Sequence, residues 1–148
     1  MVEICYTLRS AEEADFEFLY WLKSACLREY VEQTWGWDEA HQRQYFTRGF
    51  DPARIQIVVV DGHDIGALTI EDKEDENYLA GIYILPDWQN CGIGTAIIQD
   101  LLDHSREAGK RVGLQVLKVN PAQLLYERLG FEIYDESVTH YLMRTNDK

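Results

Sequence analysis

The sequence predicts an α/β fold with a central mixed, mostly antiparallel sheet flanked by helices. Two β-branched runs flank Asp61-Gly62, a pair suited to a hairpin turn, so an antiparallel meander is expected in the first half. The Ile-rich strand that closes the first half is then followed by a helix and the short apolar strand RVGLQVL. A crossover of that length predicts a parallel pair of strands. At 148 residues and without an internal repeat, the chain is expected to form a single domain over residues 1–148.

The first half predicts one strand and two helices before the meander. VEICYTLRS is typical of a strand. Ser10 is a candidate N-cap, with Glu13 completing a capping box, and apolar residues at helical spacing predict a first helix that ends near Tyr30. Asp38 can cap a second, shorter helix that ends at Gly49.

The second half predicts two further helices and three strands. A helix that opens with Gly92 and Gly94 is expected to end at Gly109, which suits a C-cap. Asn120 is a good N-cap for the helix AQLLYERL, which Gly130 terminates. The segments FEIY and SVTHYLMR then predict the last two strands.

The composition limits the partners of the protein. The net charge is −12, which argues against a nucleic-acid partner and is compatible with a cationic amine as substrate. Neither a membrane span nor a signal peptide is recognisable, so we expect a soluble, cytoplasmic protein with no membrane partner.

Cys5, Cys26 and Cys91 form neither a disulfide framework nor CxxC metal spacing, so we expect reduced thiols and no bound metal. Cys26 falls on the apolar face of the first helix, but the sequence assigns no role to any of the three.

The segment QNCGIG predicts an anion site at the start of a helix. Glycines let the backbone approach a ligand, and the first N–H groups of a helix are unsatisfied and carry partial positive charge. A P-loop is disfavoured because no Lys follows Gly94, and a dinucleotide fingerprint is disfavoured because Ile97 stands where its third glycine belongs. A tight turn with nothing bound is the structural alternative.

Two motifs indicate a family. The pattern [Gln/Arg]-x-x-Gly-x-[Gly/Ala], filled by Gln89, Gly92 and Gly94, resembles the acetyl-coenzyme A loop of the GNAT superfamily of N-acetyltransferases. NPAQLLYERLGF, residues 120–131, resembles the second signature of that family, and the order of elements matches along nearly the whole chain. The resemblance implies acetyl-CoA as cofactor and direct attack by a primary amine of a small molecule or peptide, and it suggests a homodimer. Cys91 departs from the family, whose members often carry Lys or Arg there.

The same resemblance assigns site residues. Those expected to bind the cofactor are Ile82, Ile84, Leu85, Gln89, Asn90, Cys91, Gly92, Ile93, Gly94, Thr95, Asn120 and Tyr126. The N–H groups of Ile82 and Ile84 are candidates for the oxyanion site, and Leu85 for contact with the pantetheine. Tyr126 is the candidate general acid for the departing thiolate, with core packing as its alternative.

A base is needed because an alkylamine with a pKa near 10.4 is only about one part in 10³ neutral at pH 7. Glu71 is the candidate catalytic base, with Glu76 as its neighbour in the sequence, and a solvated acidic turn is the alternative for both residues. The aromatic segment YVEQTWGW lies where similar enzymes line the acceptor pocket, although its rings also suit packing.

Two other functions stay open at this point. The first is a catalytically silent acyl-CoA-binding sensor of the same fold. The second is a domain for a different nucleotide cofactor, as in a methyltransferase or dehydrogenase. The antiparallel first half and the absent third glycine disfavour that second function.

Overall fold

The computed structural model describes residues 5–146, which form seven strands and four α-helices. The strands are β1 (Thr7–Ser10), β2 (Gln56–Val60), β3 (His63–Asp72), β4 (Glu76–Ile84), β5 (Arg111–Leu117), β6 (Phe131–Glu136) and β7 (His140–Thr145). The helices are α1 (Phe16–Trp35), α2 (Glu39–Gly49), α3 (Ile93–Glu107) and α4 (Ala122–Arg128).

The strands form one mixed sheet in the order β1-β2-β3-β4-β5-β7-β6. The pairs β1–β2, β2–β3, β5–β7 and β7–β6 are antiparallel, and β4–β5 is parallel. The fold class predicted from the sequence is confirmed, including the parallel pair on either side of the crossover helix α3.

The described chain divides into two compact units, each held together by contacts among its own residues. The first unit comprises residues 5–69 and 81–94. In it α1 packs on the sheet through Leu19 and Leu22, which contact Ile57 and Ala67 in a buried cluster. The predicted hairpin joins β2 and β3, and its turn has a positive φ at both Asp61 (52°) and Gly62 (79°), as a type I′ turn requires. Asp38 caps α2 by accepting a hydrogen bond from the His41 N–H, and α2 ends at Gly49 as predicted.

The predicted start of the first helix is wrong. Ser10 lies in β1, where it pairs with Gln56, so it does not cap a helix. The chain turns two residues later, where the Glu12 N–H donates to the carboxylate of Asp15 at 2.8 Å. α1 then runs to Trp35, beyond the predicted end near Tyr30. The N-terminal part of the first predicted strand lies outside the described residues.

The second unit comprises residues 70–80 and the chain from 95 onward. Its core is formed by apolar residues of α3, β5, β6 and β7, among them Ile97, Ile98, Leu101, Val112, Leu114, Phe131 and Met143. One polar pair lies inside: the buried Asn77 side chain donates to the hydroxyl of Ser105 in α3 at 2.8 Å. Gly109 ends the crossover helix with φ +73°, as its sequence position predicts.

Candidate active site

The second half of β4 has an edge that its neighbour β5 does not pair. The described parallel ladder between the two strands ends at Tyr78, although β4 continues to Ile84. On the other side, the Leu85 N–H donates to Ile65 of β3 at 2.8 Å. Because successive residues of a strand point their N–H groups to opposite sides, those of Ile82 and Ile84 face away from β3. This is the orientation that an oxyanion site on β4 requires.

The carbonyl of Ile84, on this same edge, accepts two side-chain hydrogen bonds. The Gln89 side-chain amide donates to it at 2.8 Å, and the Cys26 thiol donates to it at 3.1 Å. The same amide nitrogen lies 3.9 Å from the Cys26 sulfur. Gln89 was predicted as a cofactor-binding residue, but its side chain is turned back onto β4. The contact with Cys26 joins residues 58 positions apart, and no motif in the sequence signals it.

The loop between β4 and α3 has the backbone of an anion site. Asn90 and Gly92 have positive φ values of 62° and 91°, and the Cys91 thiol donates to the Trp88 carbonyl at 2.8 Å. A Cβ built on Gly94 would meet no other atom within 4 Å, so open space lies beside the backbone there.

The first turn of α3 follows the loop and adds backbone N–H donors to the candidate anion site. Ile93 is buried, with 2% of its surface exposed, so only its backbone is available to a ligand, whereas Thr95 is exposed. The turn contains no acidic residue that would compete for its N–H groups. Unsatisfied N–H groups, the positive end of a 15-residue helix and free space at Gly94 together suit a phosphate or pyrophosphate.

Asn120 and Tyr126 both lie in the second unit. The Asn120 side-chain oxygen accepts from the Ala122 N–H at 2.9 Å, so Asn120 caps the turn into α4 as predicted. Its amide nitrogen makes no hydrogen bond with residues 5–146 and stays available to a ligand.

Tyr126 is partly buried, and its ring packs edge-on against Phe131 with centroids 5.8 Å apart. Its hydroxyl has no hydrogen-bond partner within the described chain. Burial raises the pKa of Tyr126 to about 12, so the phenol is protonated at any physiological pH.

The two candidate carboxylates surround Tyr78 in the second unit. Glu71 lies in β3 and is partly buried, and Glu76 is the first residue of β4. Burial raises the pKa of Tyr78, and the negative charges of Glu71 and Glu76 add to this effect. The Glu76 carboxylate lies directly over Gly113, where a Cβ would come within 2.3 Å of it. Glu76 is therefore part of the packed start of β4 and not of a solvated turn.

The aromatic segment, residues 30–37, forms the last turns of α1 and the turn that follows it, and Trp37 there makes several contacts. The Trp37 indole donates to one carboxylate oxygen of Glu39 at 2.7 Å, and the Tyr20 hydroxyl donates to the other at 2.8 Å. The Arg28 guanidinium stacks on the Trp37 ring at 5.2 Å. A small open pocket between α1 and α2, with a cavity volume of about 30 Å³, is lined by residues that include Tyr20, Lys23, Trp37, Tyr45 and Phe46. Its lining includes the amine of Lys23, and burial lowers the pKa of that amine.

The family follows from a direct match. The model of the acetyltransferase (GNAT) domain matches residues 51–133, which is more than half of the chain. The chain therefore belongs to the GNAT acetyltransferase family, as the two motifs indicated. The matched segment contains β4, the glycine loop, α3 and α4 and leaves out α1 with Cys26.

Individual relatives agree with this assignment. The ribosomal protein bS18-alanine N-acetyltransferase of Haemophilus influenzae is 35% identical over 78 residues, 52% of this chain and 53% of the relative. The mycothiol acetyltransferase of Thermobifida fusca is 40% identical over 81 residues, 53% of this chain and 24% of the relative. The chain thus spans about half or less of these curated relatives. In structure, PaiA N-acetyltransferase from Thermoplasma acidophilum, crystallised with coenzyme A, superposes with a TM-score of 0.76 at 14% identity, covering 96% of this chain and 99% of that one.

The helices also bear on the membrane question. Among residues 5–146, no helix combines the length and the apolar character that a bilayer crossing would need.

Proposed function

We propose that this protein is an N-acetyltransferase that moves the acetyl group of acetyl-CoA onto a primary amine, by direct attack with both substrates bound. The observation that carries the proposal is the glycine loop. Asn90 and Gly92 have positive φ values, Gly94 leaves open space, and the first turn of α3 lacks acidic side chains. The crystallised neighbour that holds coenzyme A supports the same cosubstrate.

In this proposal the loop holds the pyrophosphate through backbone donors. The N–H groups of the first turn of α3, residues 93–95, supply the hydrogen bonds, and the helix dipole adds to them. Cys91 brings no positive charge, so the affinity depends more on the backbone than in relatives with Lys or Arg at that position. The free amide nitrogen of Asn120 is a further donor to the cofactor.

Charge that develops on the thioester oxygen is met by β4. The N–H groups of Ile82 and Ile84 face away from β3, and each is assigned as a donor to that oxygen. Leu85, partly buried and fixed to Ile65 through its own N–H, is the residue assigned to contact the pantetheine.

Proton transfer is assigned to two side chains. Of the two candidate bases, Glu71 is assigned to accept the amine proton through water. Glu76 is set aside because its carboxylate is packed over Gly113. Tyr126, with its pKa near 12, would lose about 5 kcal/mol by transferring its proton completely to a thiolate of ordinary pKa near 8.5. Tyr126 therefore stabilises the departing sulfur by donating a hydrogen bond. The protonated amine releases two protons: the first goes to Glu71 through water before the attack, and the second, released as the amide forms, ends on the thiol.

The acceptor is a primary amine of a peptide or small molecule. A net charge of −12 attracts protonated amines of either kind. The relative from Haemophilus influenzae is named for an alanine of a ribosomal protein, which favours the α-amine of a peptide as the first acceptor to test.

The test is thiol release from acetyl-CoA in the presence of three acceptors at equal concentration: a peptide with a free N-terminal alanine, the same peptide N-acetylated, and a small alkylamine. We expect release with a free amine and none with the acetylated peptide. Binding of acetyl-CoA without release for either free amine would instead favour the catalytically silent sensor. No binding of acetyl-CoA would contradict the proposal altogether.

A further inference from the structure

Cys26 lies outside every motif of the sequence, yet its thiol contacts the strand that the proposed chemistry uses. It sits one helical turn after the fully buried Leu22 on the face of α1 that packs against the sheet. Its thiol donates to the Ile84 carbonyl at 3.1 Å, beside the Gln89 side-chain amide at 2.8 Å. We call these three groups, the Cys26 thiol, the Gln89 amide and the Ile84 carbonyl, the Ile84 clamp.

The Ile84–Leu85 peptide group is fixed by hydrogen bonds at both ends, and the Ile84 clamp supplies those at the carbonyl end. The peptide between Ile84 and Leu85 contains the Ile84 carbonyl and the Leu85 N–H, which point in opposite directions. The Leu85 N–H donates to Ile65 of β3 at 2.8 Å. The plane of this peptide group is thus tied to β3 at one end and to both α1 and the glycine loop at the other.

We propose that Cys26 is a positioning residue for acetyl transfer, because the Ile84 clamp sets the orientation of the β4 backbone at the oxyanion site. The inference rests on the proposed function. Within one strand residue, the N–H and carbonyl lie on the same side. The Ile84 carbonyl therefore shares its edge with the Ile84 N–H assigned to the thioester oxygen. An oxygen free to turn on that edge would repel the developing negative charge, and two donors hold it and reduce its partial charge.

The state of the thiol suits this role. Burial raises the pKa of Cys26, while the Gln89 amide, whose nitrogen faces the sulfur at 3.9 Å, opposes the rise. The thiol therefore keeps its proton at neutral pH and can serve as a donor. The two donors also differ in what they connect. Gln89 opens the glycine loop, so its loss should disturb cofactor binding, whereas Cys26 belongs to α1 and should affect the chemical step alone.

The experiment uses five variants of the full chain. Cys26→Ala removes the thiol donor, and Cys26→Ser restores a donor at the same position. Gln89→Met removes the amide donor at similar length. Cys5→Ala and Gln99→Met are the matched controls, because Cys5 is exposed and the exposed Gln99 donates to Asp103 one turn away in α3. For each variant we would measure kcat, the KM and Kd for acetyl-CoA, and amide hydrogen exchange of the peptide covering residues 82–89 in the cofactor-free protein.

We expect Cys26→Ala to lower kcat about fivefold, the effect of one lost hydrogen bond, with the Kd for acetyl-CoA unchanged. Exchange across residues 82–89 should accelerate, and Cys26→Ser should recover most of both. Gln89→Met should weaken acetyl-CoA binding as well as turnover, and the controls should match the wild type.

Unchanged exchange in both Cys26→Ala and Gln89→Met would overturn the clamp. Faster exchange with unchanged kcat would overturn its role in catalysis. Exchange needs no cofactor, so failure of the clamp and failure of the proposed function give separate results.

Discussion

The two halves of β4 differ in how their polar groups are bonded. The first half, Glu76–Tyr78, pairs with β5, carries the buried Asn77–Ser105 hydrogen bond and lays the Glu76 carboxylate over Gly113. The second half, up to Ile84, has no described ladder with β5, and two side chains donate to its terminal carbonyl. One half satisfies its polar groups inside the protein, and the other is the half to which we assign the proposed oxyanion donors.

This difference separates stability from function along a single strand. Buried polar groups with partners stabilise the fold, and their loss costs free energy of unfolding. Backbone N–H groups left on an edge contribute little to stability but can bind developing charge. Substitutions in the first half should therefore change stability, and those at the second half and its loop should change ligand binding or turnover.

The largest effect is expected at the loop that follows the second half. Gly94→Glu places a carboxylate in the open space beside the first turn of α3, where it would repel a pyrophosphate. We expect acetyl-CoA affinity to fall at least about 100-fold, while the helix dipole tolerates the new charge and Tm stays unchanged. Calorimetric titration and thermal unfolding measure the two quantities. Gly49→Glu, at a glycine with equal space in α2, is the control, and retained affinity in Gly94→Glu would remove the loop from the site.

The next effect tests the first half of β4. Asn77→Ala leaves the Ser105 hydroxyl buried without its partner, so the free energy of unfolding should fall by about 2 kcal/mol. Urea denaturation measures this loss of free energy of unfolding. Comparison with Ser105→Ala and with the double variant shows how much of the loss belongs to the Asn77–Ser105 hydrogen bond. Acetyl-CoA affinity should stay within about twofold of the wild type, since no ligand group is removed. A large loss of affinity would mean that the two halves are not separable in this way.

Tyr126→Phe is expected to have a smaller effect, confined to turnover. A hydrogen bond to the departing sulfur, without full proton transfer, predicts a kcat about tenfold lower at unchanged KM for acetyl-CoA. The pH dependence of kcat should not show an ionisation of Tyr126 below pH 10, because burial raises its pKa to about 12. Steady-state kinetics from pH 6 to 9 measure both. An unchanged kcat would leave the ring packed on Phe131 as the role of Tyr126.

The smallest effect lies in the first unit, away from β4. Hydrogen bonds from Arg9 lower the pKa of Asp15, so the folded state favours its ionised form. This contribution is present above the ordinary Asp pKa near 3.9 and is lost as the pH falls through the lower folded-state value. Asp15→Asn should therefore lower the free energy of unfolding at pH 7 by about 1 kcal/mol or less. Denaturation at falling pH should show this difference disappear, with acetyl-CoA affinity unaffected at pH 7. A difference that persists at acid pH would assign it to packing.

Features set by neighbouring residues could be predicted from the sequence. Four such features depend on residues a few positions apart and are present in the structure: the Asp61-Gly62 turn, the Asp38 cap, the Asn120 cap and the glycine loop. The family match to residues 51–133 agrees with the two motifs.

Contacts that depend on the exact register or packing of distant segments could not be predicted. Ser10 has good capping chemistry, but its pairing with Gln56 draws it into β1. The Cys26–Ile84 contact joins positions 58 residues apart, and helical spacing predicted only that Cys26 faces the apolar side of α1. The packing of Glu76 over Gly113 likewise follows from the parallel register of β4 and β5.

The most direct single measurement is a pair of calorimetric titrations of the wild-type protein, one with coenzyme A and one with pantetheine, which lacks the pyrophosphate together with the phosphorylated adenosine. If the backbone of the glycine loop and α3 holds the pyrophosphate, coenzyme A should bind at about micromolar Kd and pantetheine at least about 100-fold more weakly. Equal affinity for the two compounds, or no binding of coenzyme A at all, would contradict the assignment of this loop.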